Sequence, residues 1–177
     1  MEQDPELTVN LWFHYSWCKN VPRRSAGILP YRQVDGKLQV LLVHPGGPFW
    51  RNRDNGAWSV SKGEYESDEE ESEAAARREF TEETGWTADG PMIELDEIRQ
   101  AGGKYLNIYA MEAAFDPATF VSNTFQLEWP PHSGRLRSFP EVDQVSWFSL
   151  SEARMKILPS QLALLDQIQQ VVAKLDD

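Results

Sequence analysis

Residues 63–86 read GEYESDEEESEAAARREFTEETGW, and the stretch at their heart, Arg78-Glu79-Phe80-Thr81-Glu82-Glu83-Thr84-Gly85, decides the fold. Side chains three and four apart are neighbours on a helix, so Glu79, Glu82 and Glu83 share one face. Like charges at that spacing repel and weaken a helix unless something neutralises them. Hard carboxylate oxygens suit magnesium or manganese, and a divalent cation would turn the repulsion into a site. The acidic run 68–73 taken alone reads as an ordinary solvated surface. What distinguishes the segment is the succession Gly63, acidic stretch, Arg-Glu, Glu-Glu, Gly85.

Working outward, the spacing predicts a helix over 68–84, started by a Ser67/Glu70 capping box and stopped by Gly85 in a left-handed conformation. Upstream, 25–31 and 38–43 read as strands joined by a hairpin turn at 34–37. A Pro/Gly-rich loop runs from His44 to Gly56, and 57–60 reads as a short strand delivering Ser61-Lys62-Gly63 to the loop before the helix. Downstream, 92–99 and 104–115 read as antiparallel strands around Gly102-Gly103. Residues 120–129 are less periodic, 130–134 form a loop, and 142–148 a last strand. A short helix capped by Ser151 runs to Ile157, and 161–175 is an amphipathic helix. Strands flanked by helices on either side suggest a mixed sheet between helical layers. Residues 1–23 differ in character, an acidic start followed by the aromatic cluster 11–17. They form an N-terminal arm or tail, with the domain over 24–177.

Residues 63–86 resemble the signature of the Nudix hydrolases: Gly, a spacer, Glu, a spacer, Arg-Glu, a bulky apolar residue, any residue, Glu-Glu, any residue, Gly and an apolar residue. Counting from Gly63 lands on Glu69 and counting back from Arg78 lands on Glu70, so one residue is extra and glutamate fills both positions. Trp86 stands where an aliphatic residue is usual. Trp58-Ser59-Val60-Ser61-Lys62-Gly63 is similar to the Trp-x-x-Pro-Lys-Gly of the dinucleoside polyphosphate branch, with Ser61 in place of proline. Together with 40–50 it resembles a bacterial subgroup described as predicted nucleoside triphosphate pyrophosphohydrolases. The resemblance implies an α+β fold, the Nudix-type α/β/α sandwich with a mixed β-sheet. It also implies a hydrolase that cleaves a pyrophosphate bond in a nucleoside diphosphate linked to another group, using Mg2+ (or Mn2+). In that pattern Glu79 and Glu83 are the principal metal ligands, Glu82 assists a second ion, and the backbone near Lys62 or Gly63 offers a carbonyl. Arg78 is expected to fix a motif glutamate through a forked ion pair.

Hydrolysing a phosphoanhydride needs charge neutralisation and a well-placed water. Glu141, just before the last strand, is the first candidate for the general base, with Asp143 and Glu128 as alternatives. For phosphate, Lys62 comes first, then Arg51, with Arg53 and Lys104 on segments that could border the same cleft. Tyr105 could stack on a base, although a strand tyrosine more commonly packs. His14, His44 and His132 show no ligand spacing and read as structural.

The chain of 177 residues has 41% hydrophobic and 25% charged residues, room for one domain with a proper core. A net charge of −11 argues against a nucleic-acid polymer as partner, which demands clustered Lys and Arg. A nucleotide-type small molecule is the expected partner, and a homodimer is compatible with the sequence. The single cysteine, Cys18, excludes an intrachain disulfide and points to a reducing compartment. No apolar run is long enough to span a membrane, and the acidic N-terminus is unlike a secretory signal. The expectation is a cytoplasmic protein. Two other functions stay open: a non-catalytic Nudix-fold nucleotide-binding or regulatory module, and a diphosphate isomerase, which would need Cys18 in the cleft.

Overall fold

The computed structural model describes residues 23–175. The proposed arm, apart from Arg23, lies outside the described residues, as do His14 and Cys18.

The hub is β1 (Arg24–Val34), which is paired along both edges. On one edge β2 (Lys37–Pro45) pairs antiparallel with its C-terminal end, and β3 (Ser61–Tyr65) pairs antiparallel with Arg24 to Ile28. On the other, β6 (Tyr105–Glu112) runs parallel from Arg24 to Tyr31. Two short strands, β4 (Ile93–Glu94) and β5 (Ile98–Arg99), pair antiparallel with β6, and β9 (Val142–Ser149) pairs antiparallel with β2. The result is a mixed seven-stranded sheet. Strands β7 (Thr124–Glu128) and β8 (Leu136–Pro140) form a separate two-stranded sheet. The β1–β2 turn has positive φ at both Asp35 (51°) and Gly36 (71°), the conformation whose twist matches a tight hairpin.

Alternation along the strands feeds two cores. From β6, Leu106, Ile108 and Ala110 face α2 (Leu150–Lys156) and α3 (Leu162–Leu175), where Ala153, Leu164, Leu165 and Ile168 are buried. Tyr109 and Met111 face the other way, onto Ala75, Ala76 and Phe80 of α1 (Ser72–Thr84). Small alanines let α1 lie close to the sheet, and Phe80, fully buried, fills the space between. The architecture is the α+β sandwich expected. No helix among the described residues is long and apolar enough to cross a membrane.

Several boundaries differ from the sequence reading. The α1 helix starts at Ser72, not Asp68, and its N-cap Glu71 makes no side-chain capping bond. The Ser67/Glu70 capping box does not form, because the chain turns there. The amides of Glu69 and Glu70 both donate to the Glu66 carbonyl, and the Glu70 carboxylate is engaged elsewhere. That turn absorbs the extra residue of the motif. Gly85 does end the helix, at φ 76° with its N–H on the Thr81 carbonyl. Residues 57–60 form only isolated bridges, whereas Ser61-Lys62-Gly63, expected as loop, is strand β3. The charges and glycine of β3 conceal its role of pairing the open edge of β1. The solvent-facing β8, with mostly exposed residues, carries no apolar alternation and was not expected.

Helix α2 is capped by Ser149 rather than Ser151. The Ser149 hydroxyl accepts from the Glu152 amide, and the Glu152 carboxylate accepts from the Ser149 amide. Ser149→Ala should cost about 1 kcal/mol of unfolding free energy and Ser151→Ala distinctly less, read by denaturant titration.

Candidate functional site

Strand β3 lies against the N-terminal half of β1 because Gly27 has no side chain. A Cβ there would overlap the Ser61 carbonyl and crowd Lys62. The same strand passes beside the acidic stripe of α1. The Lys62 amide donates to the Glu83 carboxylate at 3.0 Å. The Glu79 carboxylate rests over Gly63, where an added Cβ would collide with it. Gly63 has no positive φ, so the demand there is for space alone.

Arg78 gathers the acids. Its Nε and Nη2 donate to the two oxygens of Glu70 at 3.2 and 2.9 Å, and Nη1 donates to Glu79 at 2.6 Å. Glu82 lies 3.5 Å from the same nitrogen. Glu70, with Glu79 after it, raises the Arg78 pKa above its ordinary value, and Arg78 holds Glu70 below the usual carboxylate range. Of the two candidates for the first motif glutamate, Glu70 is therefore the one in the cluster, while Glu69 is exposed in the turn.

Glu83 is pushed up to about 7. Burial is the main cause, opposed by the nearby Ser61 hydroxyl, the Lys62 charge and the Lys62 amide. The Ser61 Oγ itself is buried and completes no hydrogen bond of ordinary geometry. Lys62 is lowered, again by burial first, with Glu83 opposing and the Lys104 charge adding to it. A carboxylate whose pKa stays raised despite these contacts is an under-compensated group.

Glu141 is brought to the same place. It is exposed, yet its pKa is raised by partial desolvation first and then by the charges of Glu79 and Glu82. Its position is set through the backbone. The Asn123 amide donates to the Glu82 carbonyl at 3.1 Å, and the Glu141 amide donates to the Asn123 carbonyl at 2.9 Å. The Ser122 hydroxyl accepts from the Val142 amide at 2.9 Å. Residues 121–123 thus splint the end of α1 to the start of β9. The alternatives to Glu141 are occupied: Asp143 bonds His44 at 2.6 Å, and Glu128 accepts from the Gly134 amide within the β7–β8 hairpin.

Among the other candidates, Tyr105 has the guanidiniums of Arg24 and Arg99 at 5.1 and 5.8 Å from its ring. The ring is thereby flanked by two cations. Lys104 pairs with Glu64. Arg51 is exposed on the 46–56 loop, and Arg53 lies over Trp50. His44 is buried with both ring nitrogens bonded, Nδ1 to Asp143 and Nε2 to the Arg53 carbonyl at 2.8 Å. Its role in pinning the 46–56 loop had no signal in the sequence, nor did the splint at 121–123, whose contacts apart from the Ser122 hydroxyl are made by backbone.

No cage of three acidic or imidazole side chains is preformed among the described residues, since Glu79 and Glu82 are turned to Arg78. The donor set nonetheless suits a hard divalent ion. Glu79, Glu82 and Glu83 offer carboxylate oxygens from one helix, and the under-compensated Glu83 would gain most from a cation.

The family described as NUDIX domain matches residues 21–168. No curated protein matches the sequence. Among solved structures, the NUDIX domain of Shewanella oneidensis NrtR complexed with ADP ribose is 19% identical with a TM-score of 0.59, over 84% of this chain and 87% of that one. The C. elegans Ap4A hydrolase, in a binary complex, is 20% identical with a TM-score of 0.58, over 86% and 98%. The E. coli ORF135 protein is 19% identical with a TM-score of 0.52, over 86% and 93%. At these identities the likeness is one of fold.

Two outcomes follow from this geometry. Gly63→Ala should displace the Glu79 carboxylate and weaken Mn2+ binding, read by titration, while shifting unfolding little. Glu83 is raised in the fold relative to its unfolded value near 4.5, so its contribution is complete below that pH and is lost as pH rises through about 7. Metal-free Glu83→Gln should therefore be more stable than the parent at pH 8, by up to about 3 kcal/mol, with the gap closing towards pH 4.5.

Proposed function

The chain belongs to the Nudix family, and from that premise we propose that it hydrolyses a phosphoanhydride in a nucleoside diphosphate joined to a further group. The observation that carries this reading is the acidic face of Glu79, Glu82 and Glu83, held against β3 by the Lys62 amide and Gly63, with Glu141 tied through Asn123 to the end of the same helix. The names of two neighbours support the substrate class: one domain was solved with ADP ribose, and another protein is an Ap4A hydrolase. Nucleoside triphosphates and dinucleoside polyphosphates are the favoured substrates.

Glu79, Glu82 and Glu83 would hold Mg2+ or Mn2+, with the Gly63 backbone beside them. The ion would supply charge neutralisation on the phosphate oxygens. Arg78 fixes Glu79 and Glu70 in orientation through its forked contacts. Glu141 takes the proton of the attacking water. Its raised pKa, caused by desolvation and by neighbouring carboxylates, makes it a better base than a solvated glutamate. Lys62, lowered by burial, would offer its ammonium to a phosphate oxygen, with Arg51 a more distant contact. The intact acidic stripe favours hydrolysis over a binding module without turnover.

A panel of nucleoside triphosphates, dinucleoside polyphosphates, nucleotide sugars and ADP-ribose, with phosphate, pyrophosphate and nucleotide release followed, tests the reading. Glu141→Gln should lower kcat by about 10²–10⁴ with KM little changed. Full activity of both Glu83→Gln and Glu141→Gln would overturn it, and ligand binding with no turnover in any arm would favour the binding module.

A further inference from the structure

The β7–β8 hairpin stands apart from the main sheet, and one of its faces is unusual. Its register sets Phe125 opposite Phe139 and Leu127 opposite Arg137, and the Trp129 amide donates to the Arg135 carbonyl at 2.9 Å. Alternate side chains share a face. Phe125 and Trp129 therefore lie on the same side as Arg135 and Arg137. That side is turned to the 46–56 loop: the Phe125 ring covers Gly47, and Phe49 meets Trp129 edge to face with ring centroids 5.4 Å apart. Phe49 is still 61% exposed.

The charges on the two elements are equally distinctive. Arg23, Arg24, Arg77, Arg78 and Arg154 each pair with a carboxylate. Among the described residues, six arginines make no ion pair although the chain carries a net charge of −11: Arg32 and Arg99 lie over aromatic rings elsewhere, and the other four, Arg51, Arg53, Arg135 and Arg137, all belong to these two elements. Acids are plentiful, so unpaired arginines gathered on facing elements make a local attractive field for an anion. Both elements root at the candidate base. Strand β8 ends at Pro140, and the Gly46 amide donates to the Glu141 carbonyl at 2.9 Å.

We propose that the 46–56 loop and this face of the hairpin clamp a nucleotide unit of the substrate, with its base against Phe49 and Trp129 and its phosphate on Arg135 and Arg137. This rests on the hydrolase reading and narrows it to substrates with a nucleotide beyond the scissile anhydride. Arg137 lies roughly 13 Å from Glu141 along the extended strand, at about 3.3 Å per residue, which leaves room for a further phosphate between the clamp and the candidate base. Aromatic rings beside guanidiniums match a flat base carrying a phosphate, whereas a sugar would call for a ring of hydrogen-bonding side chains.

AMP has no anhydride to cleave, so calorimetric titration with AMP reads the clamp independently of turnover. Phe49→Ala should weaken AMP about tenfold and leave ribose 5-phosphate unchanged. The double variant R135A/R137A should weaken both ligands. Equal AMP affinity in all three proteins, or none in the parent, would overturn the proposal. Hydrolysis of diadenosine tetraphosphate by the parent is followed separately, and its absence would sink the hydrolase reading without altering the AMP result.

Discussion

Everything at this site depends on how closely β3 can lie against its neighbours. Two positions without side chains make that approach, Gly27 beneath Ser61 and Lys62, and Gly63 beneath the Glu79 carboxylate. The approach aims the Lys62 amide at Glu83 and draws Glu83 out of water. A carboxylate stripe on a helix is common; this one is pressed onto a strand, with one member desolvated. The energy stored there is the cost of keeping Glu83 away from solvent, offset elsewhere by cores such as that around Phe80.

Arg78 manages the remaining charges. Its contacts with Glu70, Glu79 and Glu82 keep like charges on adjacent turns from opposing the helix. A guanidinium does this better than an ammonium because its fork engages two carboxylates at fixed angles. The arrangement also orders the acids by environment: Glu70 is lowered by Arg78, while Glu83, out of its reach, is raised by burial.

The helix and its acids were legible in the sequence because both periodicity and chemistry pointed the same way. Gly85 as a left-handed stop, the hairpin at Asp35-Gly36 and the sheet between helical layers followed from local rules. Strand β3 was not legible, since Ser61-Lys62-Gly63 carries no apolar alternation and earns its place by pairing the open edge of β1. Strand β8 was hidden for the same reason. Counting alone could not choose between Glu69 and Glu70; the choice follows from a turn whose amides converge on the Glu66 carbonyl. The two arginines beside the Tyr105 ring come from two other strands, a juxtaposition no local pattern announces. Residues 121–123 gave no sign, because apart from the Ser122 hydroxyl their work is done by backbone groups that every sequence possesses.

That splint has an architectural corollary. The Asn123 carbonyl and the Glu141 amide are bonded to one another, so the polypeptide between them leaves and returns through a single gate. Whatever is grafted between 124 and 140, longer or shorter, inherits a finished edge. The main sheet and α1 close their own hydrogen bonds without it.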